Sequence, residues 1–178
     1  IIESEILREA GQLEEAVVAL NEAITLQPDS NDLYYARSLL VEQLGQLDLA
    51  EQDLMRVLAK DPENIHALNA LGYTLADRTE RLEEALGFIE RALEVEPTDA
   101  AIIDSMGWVH FRMGNHAKAV ELLRKALSLI EDPEIAAHLG EVLWIMGNKK
   151  DALNVLESAL EAHPKHEALM GAMKRLGL

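Results

Sequence analysis

Along the whole chain, apolar residues return at steps of three and four, the spacing that places them on one face of an α-helix. Ala119, Val120, Leu123, Ala126 and Leu127 form one such stripe, with Glu121, Arg124 and Lys125 between them. No segment shows the strict alternation that marks a half-buried strand. The pattern predicts helices over 2–10, 13–26, 31–44, 47–60, 65–78, 82–95, 99–113, 116–130, 134–146, 149–162 and 166–176. The fold class is therefore all-α.

The breaks between these stripes are as regular as the stripes. All five prolines, Pro28, Pro62, Pro97, Pro133 and Pro164, fall between predicted helices, each beside a residue suited to cap the next one. Proline inside a helix loses a hydrogen bond and clashes with the preceding turn, so these positions cut the chain into helical pairs. A softer break divides each pair, at Gly11, Gly45, Gly114 and Gly147 and, once, at Thr79-Glu80. Glycine there can take the left-handed conformation that ends a helix.

The units repeat. Ala16, Ala50, Ala85, Ala119 and Ala152 follow one another at intervals of 34, 35, 34 and 33 residues. Gly72, Gly107 and Gly140 recur on the first helix of their units. Small residues at fixed positions on both helices let two backbones approach while neighbouring leucines interlock. Self-similarity at this period is the signature of a helical solenoid.

A small residue at the eighth position, glycine at the fifteenth, alanine at the twentieth and twenty-seventh and proline near the thirty-second resemble the tetratricopeptide repeat. Gly107, Gly114, Ala119 and Ala126 match four of those marks. The resemblance covers the whole chain and implies a right-handed superhelical solenoid of antiparallel helix pairs, about five repeats with a C-terminal capping helix. Its units are 1–30, with the first helix truncated, 31–64, 65–99, 100–132 and 133–166, followed by a half-unit over 167–178. Ser38 stands in a glycine position and Val57 in an alanine position. One residue is inserted near Arg78-Thr79-Glu80, which is expected to bulge that turn, and the fourth unit is one residue short.

A narrower resemblance lies in Ala70-Leu71-Gly72-Tyr73-Thr74-Leu75-Ala76-Asp77-Arg78-Thr79 and Asp104-Ser105-Met106-Gly107-Trp108. These stretches look like the C-terminal repeats of bacterial tetratricopeptide lipoproteins of the outer membrane, including the LbcA-type adaptors of a periplasmic carboxyl-terminal processing protease. That resemblance implies delivery of substrates, cell-wall hydrolases, to the protease from the periplasmic face of the outer membrane. Without it, the expected location is cytoplasmic.

Composition narrows the partners. The 178 residues carry 32 acidic against 16 basic side chains, a formal charge of −16, which repels phosphate backbones and disfavours nucleic acid. There is no cysteine, hence no disulfide and no thiolate chemistry. No uncharged apolar run reaches the roughly 18 residues of a membrane helix, since Asp104 interrupts the most apolar patch. The chain opens at Ile1 with no methionine and partway along a helical stripe of Ile2, Ile6 and Leu7, which reads as a fragment of a longer protein. A signal peptide or lipid anchor upstream is compatible with that reading.

In the repeat family the first helix of each pair lines the concave face. The positions so implied here as a partner-binding groove are Tyr35, His66, Asn69, Tyr73, Asp104, Trp108, Arg112 and Glu141, flanked by Leu39, Glu42, Asp77 and Glu134. Tyr73 and Trp108 hold the same position in adjacent units and are expected to stand side by side in the groove as anchors. Asn69, one turn before Tyr73, suits the peptide group of an extended ligand. Asp104, Trp108 and Arg112 lie four apart on one face, so Arg112 is placed to stack on Trp108 or reach a ligand carboxylate, against the alternative of a solvated charge. Phe111 and Trp144 read as packing, and His66 and His138 as facing or bordering the groove.

The fifth positions, Tyr35, Asn69, Asp104 and Ala137, include no basic residue, which argues against a clamp for a chaperone's C-terminal carboxylate. An acidic, aromatic groove suits a protein or peptide segment with apolar anchors and some basic residues. No cysteine nucleophile, Gly-x-Ser-x-Gly, phosphate-cradling loop or His-Glu-x-x-His is present, so no catalytic residue, cofactor or metal is assigned. His163 and His166 flank Pro164 without a third ligand at a suitable spacing and read as capping or surface residues. The expected function is a non-catalytic interaction scaffold or adaptor. The alternative is a structural assembly module that self-associates through the half-unit, where Leu169, Met170, Met173 and Leu176 form a stripe.

Overall fold

The computed structural model describes residues 1–178 and contains helices only. In order they are α1 (Ile2–Glu9), α2 (Leu13–Leu26), α3 (Asn31–Gln43), α4 (Leu47–Lys60), α5 (Ile65–Arg78), α6 (Leu82–Val95), α7 (Ala100–Arg112), α8 (His116–Leu129), α9 (Pro133–Ile145), α10 (Lys149–Ala162) and α11 (Glu167–Leu176). Consecutive helices pack as antiparallel pairs, and the pairs stack into a right-handed superhelix capped by α11.

The joints work as their residue types dictate. Asn64, Asp99 and Asp132 accept hydrogen bonds from backbone N–H groups of the helices they precede, those of Ala67, of Ile102 and of both Glu134 and Ile135. Each bond satisfies a donor that the first turn leaves without a helical partner. Gly114 and Gly147 close α7 and α9 at φ +82° and +84°, a conformation that a side chain would strain.

Helix α5 departs from this scheme. It runs 14 residues where α3, α7 and α9 run 13, and it ends on Thr79 in an extended conformation, with no glycine. The extra residue therefore lengthens the helix instead of bulging the turn. The terminal carbonyls that a glycine motif would satisfy are taken by Arg112, whose Nη1 donates to Ala76 O and Asp77 O at 2.6 Å each.

The repeated small residues sit at the helix crossings. Ala16, Ala50, Ala85, Ala119 and Ala152 are each 0% exposed. A Cβ placed on Gly72, Gly107 or Gly140 would lie 2.5 Å from Ile89 Cγ1, 2.8 Å from Leu123 Cγ or 2.5 Å from Leu156 Cγ. Ser38 and Ser4 hold that position in the two preceding units, buried, with hydroxyls turned back to Tyr35 O and Ile1 O of their own helices. A buried ion pair adds to this packing, with Arg37 donating to both Asp53 oxygens at 2.7 Å and to Asn21 at 2.6 Å, so that it ties α3 to α4 and α2.

Candidate functional site

The first helices α3, α5, α7 and α9, with α11 at the end, enclose an open concavity of about 1070 Å³. Its floor is a polar network that spans three units. The indole Nε1 of Trp108 donates to Asp77 Oδ1 at 3.1 Å, and the His138 ring stacks on the indole with centroids 4.3 Å apart. His138 Nδ1 lies 2.9 and 3.0 Å from the two Asp104 oxygens, and Nε2 lies 3.3 Å from the Tyr73 hydroxyl. Tyr73, Asp104 and His138 come from α5, α7 and α9, so the network joins three consecutive first helices.

Burial disfavours the charged form of His138, but the field of Asp104 and its hydrogen bond outweigh this, with help from Glu141 and Glu134, and the pKa rises above the ordinary histidine value. Burial pushes the Tyr73 phenol upward, and Asp77, Asp104, Glu134 and Glu42 push the same way, so it stays neutral. A neutral phenol and a hydrogen-bonded imidazole fix geometry, and neither is set up as a nucleophile. No three His, Asp or Glu side chains converge as a metal site.

The sequence-derived groove residues are dispersed by this arrangement. Tyr73, Trp108 and Glu141 line the concavity. Tyr35 lines a smaller depression near the N-terminus with Asp32 and Leu39, and the exposed His66 ring stands 6.1 Å from it. Asn69 is half-buried, its Oδ1 enclosed and without a hydrogen-bond partner. Asp104 is buried under His138.

Two expectations are corrected. Trp108 does not stand free beside Tyr73, for it is 7% exposed, covered by His138 from the next unit and by Phe111 at 5.0 Å. Arg112 neither stacks on Trp108 nor stays free for a ligand, because the uncapped end of α5 holds its guanidinium. Phe111 and Trp144 pack on the core as expected, yet both also line the concavity, with Lys149 Nζ 4.8 Å from the Trp144 centroid. The exposed apolar surface there belongs to Leu39, 37% exposed, and Ile145, 52% exposed. Glu141 is buried and accepts from Arg175 of the cap.

The central role of His138 lay one step beyond the sequence reading. It stands one residue past the repeat equivalent of Asp104, which is Ala137, so the stacking of adjacent first helices is the signal that predicts their contact.

Stacked helix pairs whose first members line an inner surface define the helical-repeat scaffolds. Family profiles described as TPR repeat and Tetratricopeptide repeat match residues 5–45 and 43–101, and one described as Anaphase-promoting complex, cyclosome, subunit 3 matches residues 78–159. The chain is a tetratricopeptide-repeat protein. It is 48% identical over 141 residues to a TPR repeat-containing protein of Pseudomonas aeruginosa, covering 79% of this chain and 24% of that protein. It is 29% identical over 140 residues to the type IV pilus assembly protein PilF of the same organism, covering 75% of this chain and 54% of PilF. The chain thus spans about a quarter and about half of these relatives. Among solved structures, a thermophilic TPR protein of Thermus thermophilus superposes with a TM-score of 0.86 at 26% identity, over 98% of this chain and 96% of that one.

Proposed function

We propose that the chain is a non-catalytic interaction scaffold that receives a segment of a partner protein on its concave face. The observation that carries this reading is the concavity itself, where apolar side chains from α3, α7 and α9 rim a floor of fixed polar groups. Exposed Leu39 and Ile145 supply apolar anchor surface without loss of fold, since neither holds the core. Acidic Glu42, Asp77, Glu134 and Glu141 around them favour a segment that carries basic residues. The partner is a protein, since the net charge of −16 repels nucleic acid.

Within this reading the chain is part of an adaptor that brings substrates to a periplasmic carboxyl-terminal processing protease. Its support is the resemblance of the stretches around Gly72 and Asp104 to outer-membrane repeat lipoproteins. Photo-crosslinking in the native cell tests both levels. Benzoylphenylalanine at Leu39 or Ile145 is expected to capture one defined set of proteins that Val18 and Met55, exposed on second helices α2 and α4, do not capture. Equal capture from both faces would refute the groove, and absence of the protease and its substrates from the concave set would refute the adaptor role.

The second reading, self-assembly through α11, rests on exposed Met170 and Leu178 at the end of the solenoid. Light scattering decides it, since a concentration-dependent dimer that disappears when 167–178 are deleted would favour assembly.

A further inference from the structure

We infer that Glu141 marks a cation site for an arginine or lysine of the bound partner, and that Arg175 of the capping helix is its removable internal occupant. The inference rests on the scaffold reading and names the chemistry its groove selects.

Glu141 is 6% exposed, and a carboxylate so enclosed requires a cation or several donors. Its sole ion-pair partner is Arg175, whose side chain is 60% exposed. The neighbouring carboxylates of the floor are held differently. Asp77 is engaged by Trp108 and by Arg78, and Asp104 by buried His138. Both Trp108 and His138 are packed within the stack of first helices. Of the two buried carboxylates there, Asp104 and Glu141, Glu141 is the one held by a long, solvent-facing side chain, so its cation is the one that an incoming group can replace without unpacking the core.

The surroundings fit a second cation of the same kind. The Asp77 carboxylate lies close enough for its charge to favour the cationic Arg175 guanidinium. Tyr73, Trp144, Ile145 and Leu176 line the same concavity and offer apolar surface to the stem of an arginine or lysine. Exchange replaces one cation on Glu141 by another and never leaves the buried carboxylate unpaired, so it is nearly balanced and is tipped by the contacts that surround that cation in the partner.

The test uses N-acetyl-arginine amide as probe and its citrulline analogue as neutral control, followed through the indole resonances of the two tryptophans. Removal of the internal competitor in Arg175→Ala is expected to tighten arginine binding about threefold. Adding Glu141→Gln to that variant is expected to weaken it about tenfold, with no response to citrulline in either. Circular dichroism establishes that both variants keep their helices, and Arg175→Lys, which retains a competing charge, is expected to bind like the parent. Binding by Arg175→Ala no tighter than the parent, or undiminished by Glu141→Gln, would overturn the assignment. That result leaves the scaffold reading intact as long as Leu39 and Ile145 still capture partners.

Discussion

His138 is satisfied in either protonation state, which explains how a buried imidazole is tolerated here. With Nδ1 protonated it donates to Asp104 while Nε2 accepts from the Tyr73 hydroxyl, and a second proton on Nε2 reverses only that last bond. Its folded pKa is raised, so its contribution to stability is complete below the ordinary histidine value of about 6.5 and fades as pH climbs through the folded-state value. Thermal melts of the parent and His138→Gln should differ most below about pH 6.5, and the difference should narrow as pH rises above that value. A pH-independent difference would mean that Asp104 does not raise the His138 pKa in solution. The glycines make a complementary residue-level contrast. Gly140→Ala drives a Cβ to 2.5 Å from Leu156 Cγ and should cost about 1 to 3 kcal/mol. Gly87→Ala meets nothing within 4 Å on α6 and should stabilise by up to about 1 kcal/mol. Chemical denaturation of the two variants measures both signs.

Among the elements, α5 shows how one inserted residue is absorbed. The helix gains a residue, loses the glycine motif and recruits Arg112 from α7 to satisfy its last carbonyls. Arg112→Ala should therefore cost about 1 to 3 kcal/mol through carbonyls left unpaired, with faster amide exchange confined to the end of α5 and the turn to α6. Uniform acceleration across the chain would locate the role of Arg112 elsewhere. At the start of α9, Asp132 accepts from two N–H groups beside Pro133, so Asp132→Ala should cost about 1 kcal/mol in the same denaturation assay.

On the scale of the whole molecule, two features set behaviour. The charge of −16 makes the fold repel itself, while the surface ion pairs that salt would weaken contribute little. The melting temperature should accordingly rise between about 20 and about 200 mM sodium chloride. A fall would show that pairs such as Arg81 with Glu51 and Glu84 outweigh the net repulsion. The second feature is the order of stacking. The units stack in chain order, so the floor of the concavity is assembled from groups far apart in the chain, Asp77 with Trp108 of the next unit, 31 residues on, and Tyr73 with His138 two units away, 65 residues on.

The linear order of residues is enough to define the helices, their joints and the closeness of their crossings. Those features are local: a 3.6-residue period, proline and glycine at the breaks, and small residues recurring at one spacing on each helix. It also placed Tyr73, Trp108 and Glu141 on the inner side of the superhelix, where they line the concavity. Which of those side chains remain accessible is set by contacts between units. Trp108 is covered because His138 arrives from the following unit, Arg112 is consumed because α5 lacks a glycine cap, and Glu141 is neutralised because α11 carries Arg175 to it. Repeat spacing assigns a residue to a face, whereas its exposure on that face depends on what the adjacent units bring against it.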